Sequence, residues 1–310
     1  MSLPIASIVS QLNQVILGKE VQIKLSLTCL LAKGHLLIED LPGMGKTTLS
    51  HALAGTLGLN YKRLQFTSDL LPADILGVSI FERDPESDRG TFRFHPGPVF
   101  SQVLLADEIN RATPKAQSAL LEAMEEGQVT VEGETRPLPQ PFFVIATQNP
   151  VSQSGTFPLP ESQLDRFLMC ISLGYPDERA ERALLEGEDR RALANNITPV
   201  INEKLLAQLQ GLVGKIKASS SVLDYLQRII AFTRYEGGYQ YGLSPRGAQA
   251  LLRAAKAWAL VDGEGKRNYL LPEDIQAVLP SVIDHRLADA ADGGGHSVSQ
   301  SVLASVPVLL

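Results

Sequence analysis

One stretch constrains this chain more than any other: Asp40-Leu41-Pro42-Gly43-Met44-Gly45-Lys46-Thr47. A short apolar run, residues 35–39, precedes it, and a helical run, residues 46–57, follows it. A glycine-bearing loop between a buried strand and a helix matches the phosphate-cradling pattern G-x-x-x-x-G-K-[ST]. The second half of the pattern is intact; Asp40 stands at its first glycine. The chemistry asks for Gly43 and Gly45, so that backbone N–H groups approach phosphates with no Cβ in the way. It also asks for a helix N-terminus facing the anion. In this pattern Lys46 meets the β/γ-phosphates and the Thr47 hydroxyl binds Mg²⁺. Asp tolerates left-handed backbone angles better than most residues, which would let Asp40 turn the chain off the strand. An ordinary strand–turn–helix junction is the competing account, and the correct placing of both flanking elements argues against it. The loop predicts an ATP site built from Pro42, Gly43, Met44, Gly45, Lys46, Thr47 and Thr48.

Two further strand ends carry matching chemistry. Val103-Leu104-Leu105-Ala106-Asp107-Glu108 is an apolar strand closing on two acids, about 60 residues beyond the loop. A carboxylate across from a phosphate loop holds Mg²⁺ and its water shell, and Asp107 suits that role. Glu108, one step on, is placed to polarise the attacking water as general base. A solvated strand end is the bland alternative. Ala146-Thr147-Gln148-Asn149-Pro150 ends a third buried run; a polar amide there orients water or touches the γ-phosphate, and Asn149 is chosen over Thr147. Taken alone, Gln-Asn-Pro reads as a turn.

Short apolar strands at residues 35–39, 61–66, 103–106, 142–146 and 168–173 alternate with helical patterns, which predicts a parallel α/β sheet covered on both faces. Residues 79–81 and 92–94 read as arms of a hairpin around the polar tip 84–90, and residues 129–138 as a second hairpin. From Tyr175 the strand signal stops. Helices are expected over 178–191, 202–216, 221–235, 245–261 and 272–282, after which Gly293-Gly294-Gly295 breaks the chain. Val298, Val302, Leu303 and Val306 are then expected to dock back.

At 310 residues the chain exceeds one ordinary core, so two domains are expected. Residues 1–174 hold 13 basic and 18 acidic side chains, and residues 175–310 hold 15 and 16. Neither half is basic, so no broad footprint for nucleic acid or anionic lipid is expected. Cys29 and Cys170 sit in apolar runs and read as small buried hydrophobes rather than a disulfide framework. No signal peptide opens the chain and no apolar run approaches the ~20 residues of a membrane span, which predicts a cytoplasmic location.

Five stretches occur in one order: residues 43–47; Leu105-Ala106-Asp107-Glu108-Ile109-Asn110-Arg111-Ala112; Thr147-Gln148-Asn149-Pro150; Leu164-Asp165-Arg166-Phe167; and Ser244-Pro245-Arg246. Together they resemble the MoxR family of AAA+ ATPases, over nearly the whole chain from Val15 to about Arg286. The resemblance implies a three-layer α/β AAA+ domain with a parallel sheet, residues 1–174, and an all-α lid, residues 175–310, with ATP in the crevice between them. It implies that Arg166 is the arginine finger of a neighbouring subunit's site, the alternative being a salt bridge to Asp165 or Glu161. Arg246 would be the lid's sensor 2 arginine, in the first turn of a helix that Ser244 and Pro245 open. Ile16, Leu17 and Gly18 would pack on adenine. Arg111 and Lys115 either face the next subunit or are solvated.

The two hairpins resemble insertions of the clade that also holds magnesium chelatase and the MCM motors, where they face a pore. The implied assembly is a homo-oligomer, a hexameric ring. The implied partners are a von Willebrand factor A domain protein and a protein client whose complexes are matured by chaperone-like action. Two alternatives stand beside this: a nucleic-acid motor of the MCM or restriction type, and a slow ATP-regulated scaffold. Both hairpin tips are acidic on balance, which favours no nucleic acid partner.

Overall fold

Runs of Leu, Ile, Val and Ala that are apolar on both faces are satisfied only inside a sheet covered on both sides. The computed structural model, which describes residues 3–83, 90–149, 155–187, 190–287 and 297–308, places them so. In chain order the elements begin with α1 (Ile5–Val15), α2 (Glu20–Leu31), β1 (Leu36–Glu39), α3 (Lys46–Thr56), β2 (Tyr61–Gln65) and α4 (Pro72–Leu76). Next come a hairpin, β3 (Gly77–Arg83) and β4 (Gly90–Pro96), then β5 (Val103–Asp107) and α5 (Pro114–Glu126). A second hairpin, β6 (Gln128–Val131) and β7 (Glu134–Pro137), precedes β8 (Phe143–Gln148), α6 (Glu161–Leu164) and β9 (Met169–Ile171). Helices α7 (Glu178–Glu186), α8 (Arg190–Asn195), α9 (Glu203–Lys215), α10 (Ser220–Tyr235), α11 (Pro245–Asp262), α12 (Pro272–Ile283) and α13 (Val298–Ser305) complete the chain.

Five strands form one parallel sheet in the order β2-β5-β8-β1-β9. Alternation along each strand sends side chains to opposite faces. Leu36, Ile38, Leu105 and Ile145 join a core with α1, α2 and α3; Leu37, Leu104, Ala106 and Val144 join another with α4 and α5. The first core continues without a break into α9, α10, α11, α12 and α13. The fold class is therefore the expected one, a covered parallel sheet with a helical lid.

Local signals explain the element ends. Thr113, Asn202 and Ser244 each cap a helix by accepting the N–H of the third residue on, Ala116, Leu205 and Gly247. Gly127 closes α5 with φ +62°, a left-handed stop. The helix expected over 178–191 is two helices: α7 ends at Glu186, and Gly187 is extended (φ −97°, ψ 179°). A Cβ on Gly187 would meet the Ala183 carbonyl at 2.5 Å, and glycine is also a poor helix interior. Val298, Val302 and Val306 of the tail are buried as expected. The first hairpin's tip, residues 84–89, and the break at Gly293–Gly295 lie outside the described residues. The two hairpins meet where the Arg136 guanidinium lies 4.0 Å over the Phe94 ring. Both cysteines are free; Cys29 is buried, whereas Cys170 is only half-buried, at the sheet's edge strand. Burial pushes the Cys29 thiol up and the Cys170 thiol up to about 12, so neither is a ready thiolate.

Candidate active site

Sheet order decides which residues meet. β5, β8 and β1 are neighbours and run parallel, so the groups after their carboxyl ends line up along one edge. These are Asp107 at the end of β5 and Glu108 after it, Asn149 after β8, and the loop 40–45 after β1. In that loop Gly43 and Gly45 have φ of +86° and +88°, a region that glycine enters without strain. A Cβ built on either would meet nothing within 4 Å, and both glycines line the open cleft at the start of α3. That is a cradle for an anion at a helix N-terminus.

Lys46 is 8% exposed, and its Nζ donates to the Asp40 carbonyl at 2.6 Å and to Asn149 Oδ1 at 2.9 Å. Burial lowers its pKa, and the carboxylates of Asp40, Asp107 and Glu108 oppose that shift. Asn149 reaches the other way too, its amide donating to Glu108 Oε1 at 3.4 Å. The amide chosen from sequence thus bridges the loop lysine and the second acid. Thr147, passed over, has a different task. Its hydroxyl accepts from the Glu108 N–H at 2.8 Å and donates to Asp107 Oδ1 at 2.6 Å, pinning both acids.

Each acid has further partners that sequence reasoning missed. Arg63 of β2 donates to Asp107 Oδ2 from Nε at 3.0 Å and from Nη2 at 2.7 Å. Gln65 at the end of β2 donates to Glu108 Oε2 at 3.1 Å, and Arg111 donates to the same oxygen at 2.9 Å. The parallel β2–β5 pairing of the folded sheet brings them there, setting Arg63 and Gln65 opposite Leu105 and Asp107. Arg111, expected either at a subunit face or in solvent, pairs with Glu108 while its side chain stays 51% exposed.

Asp40 corrects another expectation. It is not in the left-handed region; among the described non-glycine residues that place is taken by Lys33, Glu108, Glu132 and Glu264. Its carboxylate is 7% exposed as part of the residue and works by hydrogen bonding. Oδ1 accepts from its neighbour's N–H, Leu41, at 2.8 Å. Oδ2 accepts from Leu173 N at 2.6 Å, Gly174 N at 2.7 Å and the Ser172 hydroxyl at 3.1 Å. Asp40 therefore fastens the phosphate loop to the segment that leaves the sheet for the lid.

An open cleft of about 560 Å³ lies over the loop. Its walls include Ile16 and Leu17 at the end of α1, the loop itself with Thr47 and Thr48, Leu184 of α7 and Arg190 of α8. Gly18 is not on the wall. It stands behind, at φ +67°, where a Cβ would come within 2.8 Å of the Ala180 Cβ; glycine there lets the N-terminal segment approach α7. The oxygen donors on the cleft's lining include the carboxylates of Asp107 and Glu108 and the hydroxyls of Thr47 and Thr48. That set suits Mg²⁺, which keeps several waters and is held by one or two carboxylates plus substrate phosphates.

Arg166 and Arg246 are not in this cleft. They line a separate cavity beside Lys33 and Gly34, at the opposite, amino end of β1. There one acid serves both: Glu125 Oε2 is 3.1 Å from Arg166 Nη2, and Glu125 Oε1 is 3.0 Å from Arg246 Nη1. The expected alternative partners of Arg166, Asp165 and Glu161, are not the ones it takes.

Residues 35–169 match the family model "ATPase family associated with various cellular activities (AAA)", and residues 231–303 match an AAA lid domain. The chain is 47% identical over 279 residues to uncharacterized protein YeaC of Bacillus subtilis, covering 90% of this chain and 85% of YeaC. It is 36% identical over 307 residues to chaperone MoxR1 of Mycobacterium tuberculosis, covering 94% and 78%. The crystal structure of a "putative ATPase" from Cytophaga hutchinsonii superposes with a TM-score of 0.85 at 37% identity, covering 98% and 94%.

Proposed function

The chain belongs to the MoxR family of AAA+ ATPases, and on that premise we propose that it hydrolyses Mg·ATP at the β1–α3 loop within a homo-oligomeric ring, a hexamer, whose work is chaperone-like remodelling of protein complexes. The observation that carries the reading is the continuous hydrogen-bonded set Lys46–Asn149–Glu108, pinned through Thr147 to Asp107, at the mouth of an open phosphate cradle.

Each residue has a task in that reaction. Lys46 exchanges the Asp40 carbonyl and the Asn149 amide oxygen for β/γ-phosphate oxygens. The Thr47 hydroxyl and the Asp107 carboxylate would hold Mg²⁺, which neutralises charge on the β- and γ-phosphates. Glu108 takes a proton from the attacking water as general base, and Asn149 orients that water. Ile16 and Leu17 supply an apolar wall for the base. Arg166 and Arg246 face away from this cleft, so they serve the nucleotide of a neighbouring copy, where a cation stabilises the charge developing on the γ-phosphate. The division into a nucleotide-binding domain at 1–174 and a lid at 175–310 puts ATP in the crevice between them. A protein client, a von Willebrand factor A domain partner and a cytoplasmic setting follow from family likeness; the relative named chaperone MoxR1 supports the first.

Two mutants test the ring-shared site together. Arg166→Ala should bind ATP yet turn over slower by about 10³–10⁵-fold, the cost of a missing arginine finger. Lys46→Ala should fail to bind. Mixed, with assembly verified by light scattering, they should regain turnover, because a sound loop of one chain meets a sound finger of the other. No recovery at any ratio in verified mixed rings would place the finger in its own chain.

A further inference from the structure

Arg286 lies just past α12, at the end of the lid's last long helix, and its side chain is 5% exposed. A guanidinium so buried must find acceptors for its N–H groups. It finds them on the three residues flanking Arg166. Nε donates to Asp165 Oδ1 at 2.8 Å; Nη2 donates to the Phe167 carbonyl at 2.5 Å and the Asp165 carbonyl at 3.4 Å; Nη1 donates to the Leu168 carbonyl at 3.1 Å. The same Nη1 also bonds the Val282 carbonyl, back on its own helix. One rigid fork thus grips the backbone on both sides of Arg166 and anchors it to α12.

We propose that Arg286 is the positioning residue of the trans-acting finger: it fixes the Asp165–Leu168 turn so that Arg166 projects at one angle, and it makes that angle follow the lid. Nothing else about the contact explains its one-sidedness. Four of its six hydrogen-bond partners lie within residues 165–168, the others being the Val282 carbonyl and His285 Nε2, and none of them lines the nucleotide cleft. A bond that served only to glue the lid on would have no reason to spare the rest of the sheet. The fork matters as well as the charge, since a lysine ammonium cannot satisfy divergent acceptors on a planar frame.

The inference rests on the reading that Arg166 serves a neighbouring copy, and the test separates the two. Arg286→Lys and, independently, Asp165→Ala are purified in the full-length chain and checked for thermal unfolding and assembly. Each should bind a non-hydrolysable ATP analogue as the parent does, while turnover falls by about 10²-fold, the scale for a misplaced catalytic group. A merely structural defect would cripple the variant's own loop. A mispositioned finger cripples the neighbour's site only. So mixing Arg286→Lys with inactive Lys46→Ala should restore turnover, and mixing it with Arg166→Ala should not. Recovery for Arg166→Ala plus Lys46→Ala without recovery for Arg286→Lys plus Lys46→Ala overturns the role of Arg286 and leaves the trans finger standing. No recovery in either mixture overturns both. Parental turnover in Arg286→Lys and Asp165→Ala, or failure of both variants to fold, also overturns the proposal, the latter because the contact is then structural.

Discussion

Glu108 occupies the left-handed region at φ 56°, ψ 49°, a place that costs an L-residue roughly 1–2 kcal/mol. The Thr147 hydroxyl holds it there by accepting its N–H. The strain sits on the proposed base, and it aims that carboxylate back toward Asn149 and the loop instead of letting the strand run on. Glu108→Gln should keep nucleotide affinity while turnover drops by about 10²–10⁴-fold, because the amide is near-isosteric but takes no proton. Calorimetric binding beside steady-state turnover checks this; turnover near the parent's would remove Glu108 from the role. Asp40 belongs at this scale too. Asp40→Ala strips the acceptor from the Leu173 and Gly174 N–H groups, and should lower unfolding free energy by about 1–3 kcal/mol per group left buried and unpaired. Denaturant midpoints measure it, and an unchanged midpoint would show that water replaces the carboxylate. From sequence, Gly43, Gly45 and Lys46 were readable because their spacing is itself the chemistry. The tasks of Asp40, Arg63 and Thr147 were not, since their partners lie 133, 44 and 40 residues away and only the folded sheet brings them near.

Among elements, β1 carries the loop and is held at its start by His35. The ring's Nδ1 accepts the Val144 N–H at 3.0 Å, which leaves Nε2–H to donate to the Met124 carbonyl at 3.2 Å. One neutral imidazole so ties β1 to β8 and α5. Burial lowers its pKa from 6.5 to about 4. The sign follows: the stabilisation is whole above pH 6.5 and is lost as pH falls from 6.5 toward 4, by at most about 1.4 kcal/mol per pH unit for one group. His35→Gln should flatten that part of the stability–pH curve in denaturant titrations. An equal slope in mutant and parent would assign the loss to His285, whose pKa burial pushes to about 3. Elements were the most legible scale. Every sheet strand, both hairpins and the caps Thr113 and Ser244 were visible, because alternation, helical spacing and cap chemistry are local. The break at Gly187 was not read, although the apolar positions of this stretch stop at Leu185 and residues 186–191 are Glu-Gly-Glu-Asp-Arg-Arg.

At the scale of the molecule, the formal charge is −6, and the described turn of the second hairpin carries Glu132 and Glu134. DNA should therefore neither bind tightly nor raise turnover. Submicromolar affinity at physiological salt, falling steeply as salt rises, would instead place the chain among nucleic-acid motors. The single apolar core that joins α1, α2 and one sheet face to α9, α11 and α12 has its own bearing on how the protein can be handled. Helix α2 packs directly on α11, across more than two hundred residues of chain. A fragment ending where the sheet ends would carry α2 with that face stripped bare, and a free lid would carry the matching bare face of α11. Both pieces would be adhesive. Expression of the ATP-binding half alone is thus a recipe for inclusion bodies, and a reporter or affinity handle is better threaded into the exposed Glu132-Gly133 turn of the β6–β7 hairpin than at a cut between the halves.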